Sequence, residues 1–464
     1  MMKGKKIVNG AALAVCVTFI ALQACRKPTN TDPEENSDEW YSGGRQTVFN
    51  SGSSAFGVPF ANLGSLKADM HSFGDASFSA VFNSDKTQRF HGLGPIFNNQ
   101  SCGSCHIADG RGKAPDAGEP LSSLLLRISI AGQNAYGGPN PVPGFGGQLQ
   151  QRGIFGVKPE ADVNVSYTET SYQFADGESY SLRLPKFDIV NPYIPMPSGV
   201  MVSPRMATPV FGLGLLEAIP ESNILAKADE NDADGDGISG KPNYSYDVQS
   251  KSYKLGRFGW KAVQPSVIQQ SAGAYVEDMG ITNMIFPAES SYGQTQYDNS
   301  VTGYELGDST LYAVAYYIKT LCVPGRRNAN DVDVKSGKKL FSAMGCAGCH
   351  TPMQKTATDV VFPELSNQTI YPYTDLLLHD MGDGLADNRP DNRASGTEWR
   401  TSPLWGIGLT GTVNGHNNFL HDGRARSISE AILWHGGEAE KAKNNFKNAS
   451  KTDRTALLKF LNSL

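Results

Sequence analysis

The chain has 464 residues, a formal net charge of -5 and 19% charged residues. That length leaves room for two or three domains, and no basic patch points to nucleic acid. Its 50 glycines and 26 prolines predict long stretches of loop.

Residues 1–24 read as a targeting segment. Lys3, Lys5 and Lys6 make a basic start, and the apolar run from Ile7 to Leu22 is too short and too early for a spanning helix. It ends Leu22-Gln23-Ala24-Cys25, which resembles a bacterial lipobox. That pattern implies cleavage before Cys25 and a lipid on its thiol. The alternative is an ordinary signal peptide with an incidental cysteine. The expected location is therefore outside the cytoplasm, lipid-anchored to a bacterial cell-envelope membrane and facing the periplasm. Residues 25–44 are polar and read as a flexible tether.

Two stretches then repeat one pattern, Cys102-Gly103-Ser104-Cys105-His106 and Cys346-Ala347-Gly348-Cys349-His350. C-x-x-C-H is the attachment signature of c-type haem. The two thiols add to the two vinyl groups, and the histidine becomes the proximal iron ligand. The pattern predicts two covalently bound haems, with His106 and His350 on the irons. A zinc site or a redox dithiol is the alternative, but neither needs the trailing histidine in both copies. Export agrees, because bacteria attach this haem outside the cytoplasm. The cysteine count closes: Cys16 leaves with the signal, Cys25 takes lipid, four bind haem, and Cys322 remains as a buried thiol.

Between the motifs, residues 132–160 read as loop, and apolar alternation over 163–184 around Asp176-Gly177 predicts one small β-hairpin. Asp232, Asp234 and Asp236, with Gly237 and the Ile238 carbonyl, form the first half of a calcium loop. Asn243 replaces the usual glutamate at position 12, and a solvated acidic turn is the alternative. Trp260 is a candidate electron relay, with a core tryptophan as the plainer reading.

Ala313–Leu321 aligns without gaps on Ala456–Leu464, and Pro209–Leu215 on Pro403–Leu409. Phe97 and Phe341 each precede their first haem cysteine by five positions. The chain is thus a tandem, with units at 45–323 and 328–464 and a linker at 323–327. Near the end, Ser427-Ile428-Ser429-Glu430 is a capping box. It starts an apolar helix that finishes at His435, a candidate second ligand for the C-terminal haem. His421-Asp422-Gly423-Arg424, just before it, could line a propionate or a pocket edge, or form a plain turn.

A helix before the haem motif, packed on a closing helix with an aromatic, resembles the class I cytochrome c core. The expected fold is mainly α: two tandem class I cytochrome c-like domains, with long loop insertions and a small β-hairpin in the first. The haem motifs, Gly92–Phe97, and Phe419–Arg424 followed by Trp434–Gly437 resemble the bacterial di-haem oxidoreductases. These are similar to di-haem cytochrome c peroxidases and to the di-haem enzyme that matures methylamine dehydrogenase. The resemblance implies a sixth ligand on the helix after His-Asp-Gly, where His435 falls, and a Ca²⁺ ion between domains. The "thiol oxidoreductase" label some members carry draws no support, since no C-x-x-C pair remains once haem is attached.

The expected function is a peroxidase-like oxidoreductase whose C-terminal haem passes electrons to a reactive N-terminal haem. Its partners would be an electron-donor protein or small cytochrome, and peroxide or another oxidant. No histidine occurs between His106 and His350. Met196, Met201, Met206, a tyrosine or water therefore remain for the first haem's sixth position, besides a histidine before the motif. Glu217, whose counterpart in the repeat is Gly411, is the candidate proton acceptor, with Gln148 second. The alternatives are an electron-transfer cytochrome without substrate chemistry, and a lipid-anchored haem or metal-acquisition component.

Overall fold

Two helix crossings set the two main cores. The first joins the Ser65–Ser79 helix to the Asp308–Lys319 helix. A methyl group on Gly74 would lie 2.1 Å from the Ala313 carbonyl oxygen and 2.7 Å from Tyr317 Cβ. The second joins Val332–Ala343 to Lys451–Ser463. There a methyl on Gly337 would lie 2.0 Å from the Ala456 carbonyl oxygen and 2.7 Å from Phe460 Cβ. The backbones touch, and only glycine leaves room for that. Ala313 and Ala456, and Tyr317 and Phe460, are the same positions of the sequence repeat. The Pro-x-x-Gly repeat also closes on these helices: Gly214 abuts the Lys319 carbonyl and Gly408 the Asn462 carbonyl.

The computed structural model describes residues 37–298 and 303–464. The leader, Cys25 and the tether up to residue 36 lie outside the described residues. The last tether positions, 39–44, belong to the unit formed by Glu39–Leu464, where Glu39 pairs with Arg326 at 2.9 Å and Lys338 at 2.6 Å. No helix among the described residues is long and apolar enough to cross a membrane.

Phe78 and Phe341, each four residues after the crossing glycine, are the true counterparts. Their rings lie 6.0 and 6.4 Å from the rings of His106 and His350. Phe97, expected in that role, sits instead in a two-residue strand paired with Arg152-Gly153. The cause is an insertion. Phe78 precedes Cys102 by 24 positions, whereas Phe341 precedes Cys346 by five.

The expectation of a mainly α fold does not hold. Of the described residues, 29% are in helix and 19% in strand, arranged with seven small sheets. The chain is a mixed α/β protein rather than a pair of helical cytochrome domains. The physical reason lies in the insertions. Buried loop backbone must find hydrogen-bond partners, and short ladders supply them. Leu124–Gln133 pairs antiparallel with Met201–Met206, in register Leu124↔Met206 to Ser129↔Met201. The hairpin runs over Asp162–Gln173 and Ser179–Val190, larger than expected. Its tip also leaves the first half. Phe174 and Leu182 are buried in the C-terminal core, and Arg454 meets Asp176 at 2.9 Å and Glu178 at 2.7 Å.

Candidate functional site

Each C-x-x-C-H motif opens onto a cavity. The first, about 420 Å³, is lined by Cys102, Cys105 and His106. The second, about 910 Å³, is lined by Cys346, Cys349, His350 and His435. The volumes fall in the range of cofactor pockets.

The histidines share one arrangement. His106 donates its Nδ1–H to the Thr208 carbonyl at 2.6 Å. His350 donates to the Tyr373 carbonyl at 3.1 Å, and His435 to the Ala431 carbonyl at 2.6 Å. A carbonyl can only accept, so each ring carries its proton on Nδ1 and keeps a lone pair on Nε2. Burial lowers the pKa of all three, and His350 falls to about 4, through burial first and then the neighbouring His435 ring, beside which a second positive charge is disfavoured. Neutral imidazoles with Nδ1 tied back are the form that ligates metal. The helix that presents His435 is capped as expected: Ser427 Oγ accepts from the Glu430 N–H at 3.1 Å. Glu430 returns its own carboxylate to the Arg426 N–H at 2.9 Å, one residue before the cap.

Burial pushes the Cys102, Cys105 and Cys346 thiols up to about 12. Those are protonated thiols, whereas a redox dithiol needs a depressed pKa. Cys322 is buried too, its thiol directed to the Pro59 carbonyl at 3.3 Å.

A charged cluster borders the second cavity. His379 gives Nδ1–H to Glu438 at 2.7 Å and Nε2–H to Asp375 at 2.9 Å. Burial opposes charge on this ring, but hydrogen bonds to Asp375, Cys349 and Glu438 outweigh it and hold its pKa well above the usual value. With both nitrogens engaged, His379 offers iron no lone pair.

Trp260 lines both cavities and donates its indole N–H to the Met206 carbonyl at 2.8 Å. His421 lines the second cavity, stacked on Trp399 at 3.9 Å. Asp422 and Arg424 pair behind it at 2.7 Å. Glu217 is not in the wall of the first cavity. Its carboxylate pairs with Lys319 at 2.5 Å and accepts from the Val267 N–H at 2.9 Å. Gln148 also stands behind the wall, where its Nε2 donates to Asp278 Oδ1 at 2.7 Å.

Asp278 itself lines the first cavity, and sequence reasoning missed it. It belongs to the Val267–Met279 helix, which Gly280 ends at φ 67°. Burial pushes its carboxyl up to about 6. Of the methionines named from sequence, Met206 reaches this cavity, and Met279 joins it. In the acidic loop, the carboxylates of Asp229, Asp232 and Asp234 lie within 4.8 Å of one another. Asp236 Oδ1 instead accepts from the Ile238 N–H at 2.8 Å. Asp229, three positions before the pattern, was not foreseen.

A family model described as "Di-haem oxidoreductase, putative peroxidase" matches residues 37–464. The chain belongs to the di-haem oxidoreductase family. Among curated proteins nothing matches. A solved structure of hydrazine synthase from Kuenenia stuttgartiensis, pressurized with xenon, is similar over 35% of this chain and 57% of its own, at 20% identity and a TM-score of 0.24. This chain therefore spans little more than half of that structure's length. The residues present in this di-haem oxidoreductase fit haem in both cavities. Paired thiols stand at the attachment spacing, and a neutral imidazole with a free Nε2 stands beside each pair.

Proposed function

We propose that this family member is an exported, lipid-anchored, peroxidase-like oxidoreductase with two covalently attached haems c. When bound, the haems supply one-electron chemistry, with electrons entering at the C-terminal site and meeting peroxide or another oxidant at the N-terminal one. One observation carries the reading: the two cavities differ in their histidines. The second presents His350 and His435 with free Nε2 atoms, which can close an iron from both sides. The first has His106 as its one lining histidine among the described residues. Cys102 and Cys105 would anchor one haem, and Cys346 and Cys349 the other.

Proton handling in the first cavity falls to Asp278 rather than Glu217. A general base must reach the reacting proton, and Asp278 faces the cavity while Glu217 is held by Lys319. Gln148 acts as a positioning residue through its hydrogen bond to Asp278. Trp260, shared by both walls, is the relay candidate. Asp232 and Asp234, joined by Asp229, would hold Ca²⁺, with the Asp236–Ile238 edge of that loop lining the second cavity. The donor partner is a small cytochrome or similar protein.

The test is peroxide turnover with a reduced dye. Asp278→Asn should lower it by roughly 10²–10⁴-fold with both haem spectra intact, whereas Glu217→Gln should not. Equal turnover in wild type and Asp278→Asn would refute the assignment. Met206 and Met279 in the first cavity favour a second reading, electron transfer alone. Methionine ligation there would appear as a low-spin first haem that refuses cyanide.

A further inference from the structure

The wall between the two cavities contains two arginines that face both of them, Arg111 and Arg400. Both are buried, with 7% and 8% exposure. The other arginines of the first cavity are paired. Arg127 meets Glu277 at 3.5 Å, Arg205 meets Asp387 at 3.4 Å, and Arg389 meets Asp391 at 2.9 Å. Among the described residues, Arg111 and Arg400 have no carboxylate partner. Arg111 lies over the rings of Phe419 at 5.6 Å and Trp260 at 6.0 Å, and its Nε is buried without a hydrogen bond. Arg400 reaches only carbonyls, of Gly259 at 2.8 Å and Thr401 at 3.2 Å. Asp375 attracts Arg400 from farther off, but its own oxygens take the His379 Nε2–H and the Leu377 N–H, both at 2.9 Å.

A buried charge without a counterion is strongly destabilising. Arginines occur where carboxylates are recognised by a planar fork of donors. Two such groups, unpaired and placed where two cavities meet, make a site for carboxylate. We infer that Arg111 and Arg400 form an anion bridge between the cavities that takes propionate carboxylates of both haems. This rests on the haem reading above. Positive charge beside both rings favours the reduced irons, so the bridge raises both potentials together. A residue with a purely structural role in one wall would not move both.

The test is spectroelectrochemistry of the holoprotein, with haem counted by pyridine haemochrome. Arg111→Gln should keep two haems and lower both midpoint potentials, each by about tenfold in the reduction equilibrium, or ~59 mV. Arg400→Gln should act in the same direction, and Arg111→Lys should restore most of the shift. Two haems with unmoved potentials would overturn the bridge. A wild type without bound haem would instead overturn the haem reading itself. Formate separates the two sources of carboxylate. If wild-type potentials shift on adding formate and the Gln variant abolishes that response, the site serves a free anion and the propionate assignment fails. If the Gln variants do not accumulate, Arg111→Lys decides by resonance Raman. Moved propionate bending modes support the bridge, and unmoved modes overturn it.

Discussion

Gly337→Ala tests whether backbone contact, rather than helix propensity, sets the C-terminal core. The added methyl would sit 2.0 Å from the Ala456 carbonyl oxygen, against an ordinary contact of 3.4 Å. The Val332–Ala343 and Lys451–Ser463 helices must therefore open by the difference, 3.4 − 2.0 = 1.4 Å. The obstructing atom is backbone, so no side chain can swing aside. Overpacking of this kind costs about 1–3 kcal/mol. Alanine returns about 1 kcal/mol of helix propensity. The clash wins, because it also separates Phe460 from Phe341, whose rings are 5.4 Å apart, and the Phe341 ring in turn lies 6.4 Å from that of His350. The net loss should be roughly 2 kcal/mol at the upper end of that cost, seen as a melting temperature lower by on the order of a few degrees. Gly273→Ala is the control. It lies in the Val267–Met279 helix, and its nearest neighbours would be 3.8 and 3.9 Å away. There propensity acts alone, and stability should rise by up to about 1 kcal/mol. Calorimetry of the two holoproteins should give opposite signs. Equal signs would show that backbone contact at Gly337 does not set this core.

His435→Ala should leave both haems attached and create a new high-spin ferric signal, read by electron paramagnetic resonance. A spectrum identical to wild type would remove His435 from the iron. Hydrogen bonds from His379, Ser239 and the Asp380 backbone overcome burial and hold the Glu438 carboxyl down at about 2. Its stabilisation is therefore present above the ordinary glutamate value and lost as pH falls toward 2. His379 contributes in the opposite sense. With its pKa raised, its share is full below the ordinary imidazole value and lost as pH rises through the raised one. Melting temperature against pH should show the acid limb in wild type and a weaker one in Glu438→Gln. Chelation should lower the melting temperature of wild type by ligand linkage and leave Asp234→Ala unchanged. A full response in that variant would place the ion elsewhere.

What could be read from sequence was what lies close along the chain. The haem motifs are five-residue patterns, and the closing helices align because each keeps one apolar face. Ala313 and Ala456 do face matching glycines. Phe78 was missed because its distance to Cys102 is stretched by an insertion, and the nearer Phe97 offered a false match. Strand content was missed because Leu124–Gln133 finds its partner more than sixty positions later, with no turn signal joining them. Asp278, Arg111 and Arg400 acquire meaning only from burial and from which cavity they face. Glu217 looked distinctive beside Gly411, yet its neighbours in space, Lys319 and the Val267 N–H, already occupy its carboxylate.

The most direct test is the spin state of the two haems in purified ferric protein, with and without cyanide. One haem should be low-spin and indifferent to cyanide, closed by His350 and His435. The other, on His106, should be high-spin or open on reduction of its neighbour, and should bind cyanide at one equivalent per chain. Two low-spin haems that refuse cyanide in every redox state would contradict a reactive first cavity and leave an electron-transfer protein.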